Sequence, residues 1–211
     1  TCAISRDSME STMDALQLAE AKGLTIVCDI NYRKNLWGYG MQPHDVIYNM
    51  MQYSDIVFGD QNEWEVASGV KHIPFNALDA GYVINREAYQ EYFRKMHVLF
   101  PKCKKMVMAL RNQLASSHHT LTGLLYDAVH DSLYTTKIYD IQPIVDPMGV
   151  GDAFVAGYIH AHQKWTADNQ YCLDFALSAS ALKNTIPGDQ NLVTEEEIIS
   201  NLTSSGGRIQ R

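Results

Sequence analysis

Apolar positions along the chain follow two alternating periods. Between Asp7 and Lys22, Met9, Met13, Leu16 and Ala19 or Glu20 keep the turns of an amphipathic helix, and Gly23 supplies its stop. Leu24 to Ile30 is then a continuous apolar run of strand length, as expected of a parallel strand buried on both faces. The pattern goes on to predict a helix over His44 to Tyr53, a strand over Asp55 to Phe58 and a short helix over Asn62 to Ser68. Gly69 to Asn85 reads as a loop. Arg86 to Leu99 returns to helix and Lys105 to Leu110 to strand. Thr120 to Tyr126 and Ser132 to Tyr139 flank His130-Asp131 as an antiparallel pair at the sheet edge. Tyr139 to Val145 is a strand-like approach to a glycine turn. Helices are expected over Gly151 to Lys164, Asn169 to Asn184, and from Thr194, where Thr194 and Glu197 have capping-box spacing.

Strands that alternate with helices imply βαβ crossovers, hence an α/β fold with a mainly parallel sheet flanked by helices on both faces. Residues 1–203 read as one domain and Ser204 to Arg211 as a frayed tail. In such sheets ligands bind beyond the carboxyl ends of the strands, which is where the polar clusters of this chain fall.

The most informative cluster is Asp146-Pro-Met-Gly-Val-Gly-Asp-Ala-Phe-Val-Ala-Gly157. Gly149 and Gly151 allow the N–H groups of Gly149, Val150 and Gly151 to converge without Cβ obstruction. The helix that starts here adds the positive end of its dipole, so the turn suits a phosphate. Asp152 would be repelled by that phosphate unless it had a task, such as taking a proton from an attacking hydroxyl. A simple helix cap is the plainer explanation for an isolated G-x-G-D. Two other glycine motifs fail on spacing. Phe154 stands where a dinucleotide fingerprint needs its third glycine, and no G-x-x-x-x-G-K-[ST] loop occurs.

A second cluster, Asp29-Ile-Asn31-Tyr32-Arg33-Lys-Asn-Leu-Trp37, follows the first buried strand. Arg33 can grip a carboxylate or phosphate with two parallel hydrogen bonds. A polar turn with Arg33 in a surface ion pair explains the spacing equally well. Bulk properties narrow the class. With 211 residues there is enough chain for one sizeable core, and a net charge of −7 opposes a general nucleic-acid binder. No apolar run reaches membrane-spanning length, and the opening residues are not a signal peptide. Cys2, Cys28, Cys103 and Cys172 are scattered, so reduced thiols in a cytoplasmic protein are expected rather than disulfides or a zinc site.

The run from Asp146 to Gly157 resembles the C-terminal signature of the ribokinase-like (PfkB) carbohydrate kinases, D-[ST]-[ST]-G-A-G-D-A-F-x-[GA]-G. Pro147 and Met148 depart at the second and third places and Val150 replaces an alanine, while both glycines and Asp152 stay in register. The D-x-N-x-R…L-W cluster is similar to the 2-keto-3-deoxygluconate kinase branch of that family. The resemblance implies ATP and Mg2+ as cofactors, a sugar or sugar acid as substrate, and Asp152 as the base that deprotonates its primary hydroxyl. It implies that Gly149, Val150 and Gly151 form the anion hole and that Asn31, Tyr32 and Arg33 lie at the nucleotide phosphates. Arg33 and Asp189 would also contact substrate. Asn62 and Glu65 match the family's N-x-x-E motif and would serve the metal indirectly.

Relatives line the nucleotide with a K-x-G-x-x-G turn, but no glycine occurs between Gly81 and Gly123; Arg111 stands in that region and is assigned to the nucleotide phosphates by position. His118 and His119 have no ligand partners at metal spacing and read as a solvated loop. Leu177 replaces an asparagine that relatives carry by the adenine, so the base contact is expected to be apolar and through main chain. The family's first strands, sugar-side glycine pair and β lid have no counterpart in residues 1–211. The expectation is therefore the C-terminal part of a kinase, inactive by itself, and a non-catalytic nucleotide-binding module is the alternative. Fructose, ribose, a nucleoside or 5-dehydro-2-deoxygluconate are the alternative substrates within the family. Homo-oligomers occur among relatives; no nucleic acid or membrane partner is implied.

Overall fold

The computed structural model describes residues 2–75 and 81–203. In chain order the elements are α1 (Arg6–Ala21), β1 (Val27–Asp29), α2 (Pro43–Met51), β2 (Ile56–Phe58), α3 (Gln61–Ser68), α4 (Arg86–Leu99), β3 (Lys105–Ala115), β4 (His118–Asp127), β5 (Ser132–Thr135), β6 (Tyr139–Ile141), α5 (Val150–Lys164), α6 (Asn169–Lys183) and α7 (Glu195–Thr203). The sheet runs β1-β2-β3-β4-β5, with β6 beside β4. It is a mixed, mostly parallel sheet of the α/β class. Val27 to Asp29 lie parallel to Ile56 to Phe58, which in turn lie parallel to Lys105 to Val107. Strand β6 is antiparallel to β4, with Ile141 opposite His119.

The chain divides into two compact units. The first comprises residues 1–74, 85–108 and 126–133 and carries the parallel ladder. Its central strand β2 is buried along its length, as a continuous apolar run demands. The ladder continues past the strand ends, because Ile30 donates its N–H to Phe58 O at 3.0 Å and Gly59 donates to Val107 O at 3.2 Å. Trp64, Phe93 and Phe100 are sealed in the same core. Helix α1 shows the expected stripe, but Met9, Met13, Leu16 and Ala19 are only half-buried and no residue of the helix is fully buried.

The second unit comprises residues 75–84, 109–125 and 134–211. Helices α5 and α6 meet at close range in it. A Cβ at Gly157 would lie 3.0 Å from Ala179 Cβ and 3.1 Å from Ala176 Cα, so the small residues set the helix spacing. Helix α6 is buried on all sides from Phe175 to Lys183, which explains the lack of polar periodicity in that stretch.

Two expectations are corrected. His118 and His119 do not form a solvated loop: β3 runs on to Ala115, only Ser116 and Ser117 link it to β4, and both histidines sit on β4. His119 is buried, and His118 pairs with Asp140 at 2.5 Å. The strand expected to reach Val145 ends at Ile141, because Pro143 has no N–H for a ladder. Beyond it the chain is held by single bonds, Ile144 N–H to Ser117 O at 3.0 Å and Val145 N–H to Asn184 O at 2.8 Å. The expected tail at 204–211 lies outside the described residues.

Candidate functional site

In the second unit the chain leaves β6, bends at Asp146 and enters α5 at Val150. Asp146 makes the bend. Its carboxylate accepts the Met148 N–H at 2.9 Å and the Gly188 N–H at 2.8 Å, binding the turn to the loop after α6. Those two amides, with the charge of Lys183, hold the Asp146 carboxyl below its ordinary range. Gly149 caps α5 at φ 74°, in the left-handed region. A Cβ there would stand 2.0 Å from the main-chain oxygen of Asp189, so glycine is required by both conformation and space. Ser180 on α6 fixes the next residue by donating to Val150 O at 3.0 Å.

This scaffold leaves a set of amides pointing out of the helix start. Among the described residues no protein acceptor is found for the N–H groups of Gly149, Val150, Gly151 and Asp152; the first helical bond of the turn is donated by Ala153 to Gly149 O at 2.9 Å. A Cβ on Gly151 would meet nothing within 4 Å, so the turn is not walled in at that residue. The Asp152 side chain is exposed and has no hydrogen bond or ion pair among the described residues. Open amides at a helix N-terminus with a free carboxylate beside them can hold an anion and accept a proton next to it. Asp189 is exposed, and its main-chain oxygen backs Gly149.

In the first unit the turn after β1 is also constrained from several sides. Asn31 adopts φ 47°, a left-handed conformation that asparagine tolerates, and its amide donates to the Asp29 carboxylate. Arg33 folds back to give hydrogen bonds to Asn31 Oδ1 at 3.0 Å and Tyr32 O at 3.1 Å, yet its side chain remains 60% exposed. Tyr32 and Trp37 form a ring contact with centroids 6.5 Å apart. Beneath the turn lies Glu63, a residue to which sequence reasoning gave no role. Its Oε1 accepts the Tyr32 N–H at 2.9 Å and its Oε2 the Asp60 N–H at 2.8 Å, while Arg33 stands 3.9 Å away. Burial pushes the Glu63 carboxyl up to about 7 against the lowering effect of those amides. The spacing Asp60-x-x-Glu63 is a capping box, a signal the sequence itself carries.

Asn62 and Glu65 are both on α3. Asn62 is exposed and without a partner among the described residues, whereas Glu65 Oε2 receives both the His72 N–H at 3.1 Å and the His72 ring at 2.6 Å. The His72 amide and then its ring hold the Glu65 carboxyl below its ordinary range. Among the described residues no group of three or more His, Cys, Asp or Glu is placed to hold a metal ion. Arg111 lies exposed on β3 in the second unit.

A 2-dehydro-3-deoxygluconokinase from Thermotoga maritima superposes with a TM-score of 0.76 at 28% identity, over 90% of this chain and 54% of its own. A PfkB family carbohydrate kinase from Listeria grayi gives 0.81 at 24% identity, over 97% of this chain and 58% of its own. The fold is that of the ribokinase-like carbohydrate kinases. A fructokinase from Vibrio cholerae solved with fructose, ADP and calcium ion gives 0.68 at 18% identity, over 95% of this chain and 58% of its own. This ribokinase-like chain thus spans a little over half the length of each of these structures. No family model and no curated protein is matched by its sequence. Among the described residues no helix is long and apolar enough to cross a membrane.

Proposed function

We propose that this chain contributes the phosphoryl-transfer machinery of an ATP-dependent sugar kinase, with 2-keto-3-deoxygluconate or a similar acidic keto-sugar as acceptor. The observation that carries the reading is the turn at Gly149 to Asp152, where amides with no protein acceptor among the described residues adjoin a carboxylate with no partner among them. On this reading the Asp152 carboxylate takes the proton of a primary hydroxyl as its oxygen attacks the γ-phosphorus. The new O–P bond forms, the bond from phosphorus to the β–γ bridging oxygen breaks, and ADP leaves. The amides of Gly149, Val150 and Gly151 face the charge that grows on the transferring group and cost no reorganisation when it does.

In the other unit Arg33, exposed and held by Asn31 and Tyr32, offers a guanidinium to the sugar carboxylate or the nucleotide phosphates. Arg111 and Asp189, both exposed, are assigned to the nucleotide phosphates and the substrate respectively. Magnesium, as a cofactor carried on the nucleotide, would neutralise phosphate charge. The oxygen donors of Asn62 and of Glu65, whose Oε2 is already engaged by His72, fit a role through its waters rather than direct ligation.

The test is ADP release from ATP with a panel of acidic and neutral sugars, run on an active protein that carries this chain. Turnover of an acidic keto-sugar supports the assignment, and turnover confined to neutral sugars overturns the substrate. A second reading is nucleotide binding without turnover. Under it calorimetry detects ATP binding by residues 1–211 while a coupled assay detects no transfer.

A further inference from the structure

The second unit contains a charge that the phosphoryl-transfer reading does not use. Lys183, the last residue of α6, is fully buried. Lysine is among the residues least often found so, because removing an ammonium from water is costly unless other groups compensate. An ammonium has three N–H donors, and the hydrogen bond found for this one goes to Ile186 O at 3.1 Å. One feature of the surroundings offsets part of the rest. The carbonyl end of a helix favours a cation, and Lys183 stands at that end of α6. The loop that follows Lys183 is in turn bound by the Asp146 carboxylate, which accepts the Gly188 N–H at 2.8 Å.

The connections converge on one short stretch of chain. Asn184, next to Lys183, accepts the N–H groups of Val145 at 2.8 Å and Asp146 at 3.3 Å. Gly188, two residues beyond Ile186, donates to Asp146, and Asp189 then backs Gly149. We propose that Lys183 is a positioning residue of the anion turn: from inside the fold its ammonium ties the end of α6 to Ile186, which sets the Gly188 N–H against the Asp146 carboxylate and the Asp189 main-chain oxygen behind Gly149. A methionine would fill similar volume without the desolvation cost, so packing alone does not call for a lysine here. The role given to the turn rests on the kinase reading, whereas the link from Lys183 to Asp146 does not.

The test is a carboxyl ¹³C NMR titration of Asp146 in the wild-type chain and in Lys183→Met, with non-hydrolysable ATP affinity measured on the same samples. In the variant the Asp146 midpoint is expected to move up toward the ordinary carboxylate range, and ATP-analogue affinity to fall roughly tenfold, as for loss of a charge-assisted contact. In an Asp146→Asn background the same lysine substitution is expected to change affinity little, because the group it acts through is gone. An unchanged Asp146 midpoint in folded Lys183→Met overturns the proposal. Should Lys183→Met fail to fold, Lys183→Arg keeps the charge and is expected to keep the low midpoint; a rise to the ordinary range there also overturns it. Absence of analogue binding in the wild type, with the midpoint shift intact, removes the kinase reading and leaves the Lys183–Asp146 link standing.

Discussion

The main-chain oxygen of Asp189 occupies the place where a side chain at Gly149 would begin, 2.0 Å from an ideal Cβ. The loop after α6 thereby forms the wall behind the anion turn. Gly149→Ala must move that wall and also adopt φ 74°, so it is expected to destabilise the fold by about 2–4 kcal/mol. Gly151→Ala has nothing to strike within 4 Å and should change stability by about 0.5 kcal/mol or less. Thermal melting of the two variants checks the contrast. Equal melting temperatures would show that the close approach carries no weight.

Asp152 is exposed and without a partner among the described residues, so the fold does not depend on it. In an active protein carrying this chain, Asp152→Asn is expected to lower turnover by roughly 10²–10⁴ with nucleotide affinity and melting temperature unchanged, as for loss of a general base. Steady-state kinetics with calorimetry on the same preparation decides it. Turnover at the wild-type rate would remove Asp152 from the chemistry.

Glu63 makes stability depend on pH. Its carboxyl is raised by burial from the ordinary carboxylate value to about 7, so the folded chain holds a proton that the unfolded chain has released. The contribution to stability is therefore full below about 4.5 and is lost as the pH rises through about 7. Glu63→Gln forfeits the acceptor for the Asp60 N–H at every pH but does not titrate. The stability of the wild type relative to the variant should thus fall between pH 4.5 and 7. Denaturant midpoints across that range provide the measurement, and a flat difference contradicts the assignment.

Arg33 has a 60% exposed side chain held in place by Asn31 Oδ1 and Tyr32 O. If it clamps a substrate carboxylate, Arg33→Lys loses the two parallel hydrogen bonds while keeping the charge. The Michaelis constant for an acidic keto-sugar should rise by roughly tenfold or more, and that for a neutral sugar should hardly move. A rise for both substrates alike would place Arg33 at the nucleotide instead.

Much of this arrangement was legible in the sequence, because its causes are local. Glycines at 149 and 151 ahead of an apolar helical run declare a helix start with open amides, and Asp152 declares itself by its charge. The apolar runs at Leu24 to Ile30 and Asp55 to Phe58 declare parallel strands, though the ladder spans only Val27–Asp29 and Ile56–Phe58. Strand β2 is buried throughout, whereas the run through β1 is not buried on both faces, because Leu24 and Val27 are exposed. What depends on distant contacts was not legible. Nothing in the sequence sets Lys183 apart, and only tertiary packing shows it to be sealed. Asp146 reads as the opening of a motif, while its bond to Gly188 joins residues 42 apart. His118 and His119 look solvated until Asp140 and Ile141 of β6 are found beside them.

On the proposed reading the amides of Gly149, Val150 and Gly151 receive a phosphoryl group. A ¹H–¹⁵N titration of this chain with non-hydrolysable ATP reads those amides one by one, even when binding is weak. Their resonances are expected to move furthest and to saturate together, and Asp152→Asn to leave them able to do so. Shifts that spare these three amides while others respond would contradict it.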